Sequence, residues 1–262
     1  MVSDRSGENK TTPNEGRKQA AVAAPVSTLL VPQGAEYRAV CNGMRRVTRA
    51  PTVIPIPAGQ QPVAEFLASP VPASGQFATV LSANRPPSAV LLLGLCGGLS
   101  PDLAVGDLVL YDGCVPACAT SPQINNSPQI ICNLALTDWI FHQLQGRVKR
   151  VRGISCDRVL CNAKEKQRLG QRFSAAVVDM EGVAVLQHFN QRDTPTAILR
   201  VVSDDCHQDL PDLSVAFSAS GELQPLPLVR AMMRQPQAAL QLIRSSLQAL
   251  AQLTTLTATL FQ

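Results

Sequence analysis

The stretch Ala89-Val90-Leu91-Leu92-Leu93-Gly94-Leu95 constrains this chain more than any other. It has no polar side chain and is far shorter than the roughly 20 residues a membrane-spanning helix needs. A strand buried on both faces of a sheet suits such a run. Further short apolar runs at residues 28–31, 53–56, 77–81, 107–111, 175–178 and 197–202 are predicted strands. Between them, residues 134–144, 163–172 and 182–191 space their apolar positions by three or four, as helices do. Strands alternating with helices imply an α/β fold with a central mixed, mostly parallel twisted sheet flanked by helices. The length of 262 residues suits a single domain. Apolar residues make up 45% and aromatic ones only 4%, which favours the Leu, Val, Ile and Ala core of such sheets over a β-sandwich.

Residues 1–24 are polar and without apolar periodicity, so they are read as a disordered tail before a domain spanning 25–262. In the last segment Leu240, Ile243, Leu247 and Leu250 fall on one helical face, expected to pack on the sheet. A helix lying on a membrane surface is the competing reading, weakened by the few basic flanks of that face. The net charge of +4 comes in short runs, among them 147–152, with no aromatic residues between them, which points to a solvated edge and away from nucleic acid. The eight cysteines form no C-x-x-C pair and no zinc-like spacing, so reduced thiols and no metal are expected. With polar residues where a secretion signal needs an apolar block, the expected location is cytoplasmic.

Three strand ends could carry chemistry. Gly94-Leu95-Cys96-Gly97-Gly98 closes the most apolar run, as a strand ending in a loop that either approaches a ligand or packs tightly. It is not the G-x-G-x-x-G of dinucleotide sites, and no cofactor is expected. Val178-Asp179-Met180-Glu181-Gly182 brings two carboxylates to the carboxyl edge of the sheet, where open α/β sheets bind ligands. One of the two could serve only as a helix cap. Ser203-Asp204-Asp205 ends another apolar strand in acids, with His207 just beyond.

Taken in order, Gly94 to Leu99 with Val105-Gly106-Asp107-Leu108-Val109, then Val178 to Glu181, then Val202-Ser203-Asp204, resemble the three signatures of the nucleoside phosphorylase and nucleosidase superfamily. The likeness extends from Ser27 onward, and its C-terminal part, from Asp204 through Leu210-Pro211 and Arg230 to Leu250, is most similar to hopanoid-associated phosphorylases. The resemblance implies a phosphorylase/hydrolase-like fold and cleavage of the N-glycosidic bond of a purine or adenosyl-type nucleoside, with phosphate or water as co-substrate. A catalytically impaired nucleoside-binding protein on the same fold is the alternative.

Carried over residue by residue, the resemblance places Met180 against the ribose and Glu181 on its hydroxyls, where a carboxylate also stabilises positive charge building on the ring. Asp204 becomes the acid that protonates the departing base, helped by burial or by Asp205. Glu36 becomes the carboxylate that activates water, its simpler role being a helix-start acid. Gly94, Gly97 and Gly98 form the loop for phosphate or nucleophile, and Ser155, Asp157, Val159 and Ser203 the base pocket. Two departures stand out. Leu95 replaces a common Ser, which leaves phosphate only backbone N–H groups and basic residues from elsewhere. Val159 replaces a stacking Phe, so aliphatic walls could suit a large apolar group on the nucleoside. Family members are oligomers whose neighbours complete the site, so a homo-oligomer is expected.

Overall fold

The structure, a computed structural model, describes residues 25–69, 87–117, 128–211, 229 and 232–262. The expected tail at 1–24 and the predicted strand at 77–81 lie outside these residues. Eight strands form one sheet: β1 (Thr28–Pro32), β2 (Thr52–Ile56), β3 (Val90–Gly98), β4 (Leu108–Pro116), β5 (Ile130–Ile131), β6 (Lys149–Ser155), β7 (Val177–Asp179) and β8 (Thr196–Asp204). Among the described residues these helices flank them: α1 (Ala35–Met44), α2 (Gln60–Ala68), α3 (Leu134–Gln143), α4 (Ala163–Phe173), α5 (Gly182–Asn190) and α6 (Pro236–Phe261).

The sheet is mixed and mostly parallel, as expected. β1 runs parallel to both β2 and β3, β3 to β8, β4 to β6 and β6 to β7. Antiparallel pairing of β8 with β4 and of β7 with β3 then closes β3, β8, β4, β6 and β7 into a ring. The closure leaves strands β3 and β8 covered on both sides, and Leu91, Leu92, Leu93, Ile198 and Leu199 have no exposed surface.

Three points add to or depart from the expectations. Arg147, Lys149 and Arg150 are exposed, as a solvated edge requires, but the run also opens the ring strand β6, whose Val151, Gly153, Ile154 and Ser155 are buried. Gly97 and Gly98 are not in a loop, since β3 continues through them and their backbone lies in the ladder opposite Val178 and Val177. The third concerns α6. Its buried residues are Ala239, Ala249, Leu253, Leu256, Thr257 and Leu260, whereas Leu240, Ile243 and Leu247 are 49%, 43% and 62% exposed. Leu250 packs partly against the core. Most of its buried residues lie in the C-terminal half, and the helix packs on α1 and β8.

Candidate functional site

Four segments meet at a cavity of about 660 Å³: the loop after β1, the end of β3, the β7 to α5 junction and the end of β8. The residues come together because β1, β3 and β8 run parallel and end on one side, and the antiparallel β7 pairs with the last residues of β3.

Glu36 lies in the first turn of α1, which starts at Gly34 with φ 97°, a left-handed conformation that suits glycine. That turn swings Glu36 over β3, where its Oε2 accepts the Leu95 N–H at 2.6 Å. Only a glycine fits beneath it, because a Cβ on Gly94 would collide with Glu36 Oε2 and with Arg200 Nη1. Burial pushes Glu36 up to about 7, with Arg200 opposing the rise and Glu181 adding to it. Glu36 is thus both a helix-start acid and a carboxylate lining the cavity, poised to exchange a proton near neutrality.

Arg200, fully buried in mid-β8, organises the acids below. Its Nη2 donates to Glu181 Oε2 at 2.9 Å and to Asp179 Oδ2 at 3.2 Å. Burial works against its charge, yet Asp179 and Glu181 more than offset this and hold the guanidinium protonated. Among the described residues, its Nε and Nη1 have no hydrogen-bond partner. The two acids of the β7 to α5 junction divide their tasks. Asp179 is the cap: Oδ1 accepts from Gly182 N at 3.1 Å and from Ser155 Oγ at 2.5 Å. Glu181, 5% exposed, accepts the Gly59 N–H at 3.1 Å and lines the cavity. Burial also pushes its carboxyl up, against the pull of Arg200. Met180 lines the cavity beside it.

Asp204, at the end of β8, accepts from Ser203 Oγ on Oδ2 at 2.7 Å and is ion-paired through Oδ1 with Lys166 of α4. Lys166 Nζ also donates to the Asp205 carbonyl at 2.8 Å. The charged neighbour of Asp204 is therefore this lysine and not the Asp205 carboxylate, which accepts the His207 N–H. Val159 and Ser203 line the cavity. Two of the expected base-pocket residues do not. Ser155 is fully buried behind it, its hydroxyl spent on Asp179 and on the Val183 N–H, and Asp157 is exposed away from it. Gly97 lines the cavity against Asp204, Gly94 lies beneath the Glu36 carboxylate, and Gly98 packs on the backbone of Asp204 and Asp205. His207 is exposed. Among the described residues no group of three or more His, Cys, Asp or Glu is arranged to hold a metal ion.

Two residues escaped the sequence reading. Arg200 carried a usable signal, a charge inside an otherwise apolar strand run, which must be paired if buried. Lys166 is hidden among Lys164, Arg168 and Arg172, but it shares a helical face with Leu169 and Phe173, both buried. The outer half of the cavity is apolar, walled by Leu210, Met232, Leu242, Ile243, Leu247 and Leu250.

Residues 63–232 match the family model described as the phosphorylase superfamily. A 5′-methylthioadenosine/S-adenosylhomocysteine nucleosidase of Shewanella sediminis is 28% identical over 146 residues, which is 51% of this chain and 64% of that protein. The chain thus spans just under two thirds of that relative's length. The enzyme of the same name from Tolumonas auensis is 25% identical over 171 residues, 60% of this chain and 74% of the relative. Among solved structures, the corresponding nucleosidase of Neisseria meningitidis, in complex with methylthio-immucillin-A, superposes with a TM-score of 0.61 at 17% identity, covering 90% of this chain and 98% of that one. Futalosine hydrolase of Helicobacter pylori gives 0.53 at 16% identity, with coverages of 84% and 96%.

Proposed function

The chain belongs to the phosphorylase superfamily, and on that footing we propose that it is a nucleosidase that hydrolyses the N-glycosidic bond of a purine ribonucleoside. The observation that carries this reading is the buried Glu36 carboxylate on the Leu95 N–H, beside the guanidinium of Arg200. A water held there gives its proton to Glu36 as its oxygen attacks the anomeric carbon. Glu181 accepts the ribose hydroxyls and faces the charge that builds on the ring as the bond to the base lengthens. The bonding electrons pass to the base, which takes up a proton at the Asp204 end of the cavity.

Water is favoured over phosphate by charge. A phosphate at Gly94 would meet the Glu36 carboxylate, and the basic side chains lining the cavity, Arg158 and Lys166, are already paired with Glu165 and Asp204. The apolar outer half supports a nucleoside bearing an apolar 5′ group in preference to a free hydroxyl. The methylthio group named for the relatives is one such group, and the hopanoid-sized group implied by the C-terminal likeness is a larger one.

The test is incubation of the protein with a nucleoside panel, with and without phosphate, followed by identification of the products. Free base and free sugar without phosphate are expected, fastest for 5′-apolar nucleosides. Cleavage that requires phosphate and yields the sugar phosphate would replace hydrolysis by phosphorolysis, and no cleavage of any nucleoside would end the enzyme reading.

A further inference from the structure

We propose that Lys166 is the source of the proton delivered to the departing base, with Asp204 as its relay; the proposal rests on the nucleosidase reading above. The starting observation is a lysine only 1% exposed at a core-facing position of α4, in ion pair with an acid that lines the cavity. Burying an ammonium is costly, and an apolar side chain of the same length commonly packs as stably. Attachment of α4 to the end of β8 does not explain the charge. The neutral neighbour Gln167 makes that link already, through Nε2 to the Cys206 carbonyl at 2.9 Å.

The pair also bears on how Asp204 can act. Both carboxylate oxygens already accept a hydrogen bond, Oδ1 from Lys166 and Oδ2 from Ser203. With both oxygens engaged as acceptors, the carboxylate is placed to receive and pass on a proton, and the donor beside it is the Lys166 ammonium. The pair as a whole holds one such proton, on Nζ. As the glycosidic bond breaks and its electrons enter the base, the base becomes the strongest proton acceptor in the cavity. The proton then moves from Nζ to Asp204 and from Asp204 to a ring nitrogen of the base. The step ends with a neutral amine, a carboxylate and a neutral base, and solvent reprotonates the amine once the base has left. The same pair selects the base. The carboxylate accepts from an exocyclic amino group, whereas the exocyclic oxygen of a 6-oxopurine would face it with no proton to share.

The experiment compares two leaving groups. 5′-Methylthioadenosine needs a proton on its base, whereas 4-nitrophenyl riboside releases a stable phenolate that needs none. Lys166→Met is expected to lower kcat on 5′-methylthioadenosine by about 10² to 10⁴-fold, the range of general acid catalysis, and to lower it at least tenfold less on the nitrophenyl riboside. Lys166→Arg keeps the positive charge against Asp204 but yields no proton in the accessible pH range, so KM is expected near wild type with kcat still depressed. Parallel losses on both substrates, no loss on 5′-methylthioadenosine, or a kcat restored by Arg would each overturn the proton-source role. Thermal melts accompany the kinetics, and if the Met variant is unfolded the Arg variant alone decides. Wild-type protein that cleaves neither these two nor any nucleoside of the panel above would overturn the nucleosidase reading, and this proposal with it.

Discussion

Glu36 shows how one residue's surroundings set its chemistry. Its value of about 7 lies above the usual 4.5 because the carboxylate is buried, and Arg200 only partly offsets this. For hydrolysis the ionised form is required, so kcat/KM should rise with pH and level off above about 7, and Glu36→Gln should be low throughout. A wild-type profile flat from pH 6 to 8 would sink the water-activating role. The sign for stability is the reverse. The folded state holds this proton more tightly than the unfolded chain, so the stability from this group is fully present below about 4.5 and is lost as pH rises through about 7. Glu181 is under a different constraint, since its carboxylate is one of two balancing the buried Arg200. Glu181→Gln should cost about 10²-fold or more in kcat. It should also lower the melting temperature, because Arg200 then keeps Asp179 as its one acidic hydrogen-bond partner. Normal turnover in this variant would remove Glu181 from the ribose site.

At the scale of elements, α1 and α6 behave as a single support. α1 carries Glu36, and it is held by close contact with α6: a Cβ on Gly43 would lie 2.5 Å from the Thr254 carbonyl oxygen and 2.8 Å from Thr257 Cβ. Backbone cannot yield as a flexible side chain can, so Gly43→Ala must part the two helices. We expect a loss of about 1–3 kcal/mol, the usual cost of overpacking, measurable by urea denaturation. Activity should fall too, because Glu36 shifts with its helix. Unchanged stability would mean that the helices are less tightly coupled than the contact implies. The far end of α6 has the opposite character. Leu240, Ile243 and Leu247 are exposed there, and Ile243 and Leu247 belong to the cavity wall. Helical period alone could not tell a core-facing stripe from a cavity-facing one, since both are apolar and both repeat every three or four residues.

For the whole molecule, ring closure is what makes the site. Antiparallel pairing of β7 with β3 brings Asp179 and Glu181 to the end of the strand that carries Gly94, and pairing of β8 with β3 sets Arg200 opposite Gly94 itself. No helix among the described residues is long and apolar enough to cross a membrane. The acids therefore converge through sheet geometry, while the polar tasks of capping, charge balance and proton exchange are divided among residues distant in sequence.

Local pattern was enough for β3 and β8, whose unbroken apolar runs leave no other place for them than the sheet interior, and for α4 and α5, whose caps and apolar spacing lie within a few residues of each other. The acidic strand ends were legible for the same reason, as polar residues stopping an apolar run. β6 was not, because Lys149, Arg150 and Arg152 mask a strand whose buried half begins only at Val151. The partnership of Lys166 with Asp204, 38 residues apart, and the seat of Glu36 over Gly94 depend on which side chains the closed sheet brings within hydrogen-bond reach. The sequence by itself determined the strands other than β5 and β6, the helices α3 to α6, and the strand ends where chemistry could occur. Which charges are buried, which are paired and which face the cavity was decided only by the tertiary structure, because the cost of burying a charge depends on neighbours that the chain order does not specify.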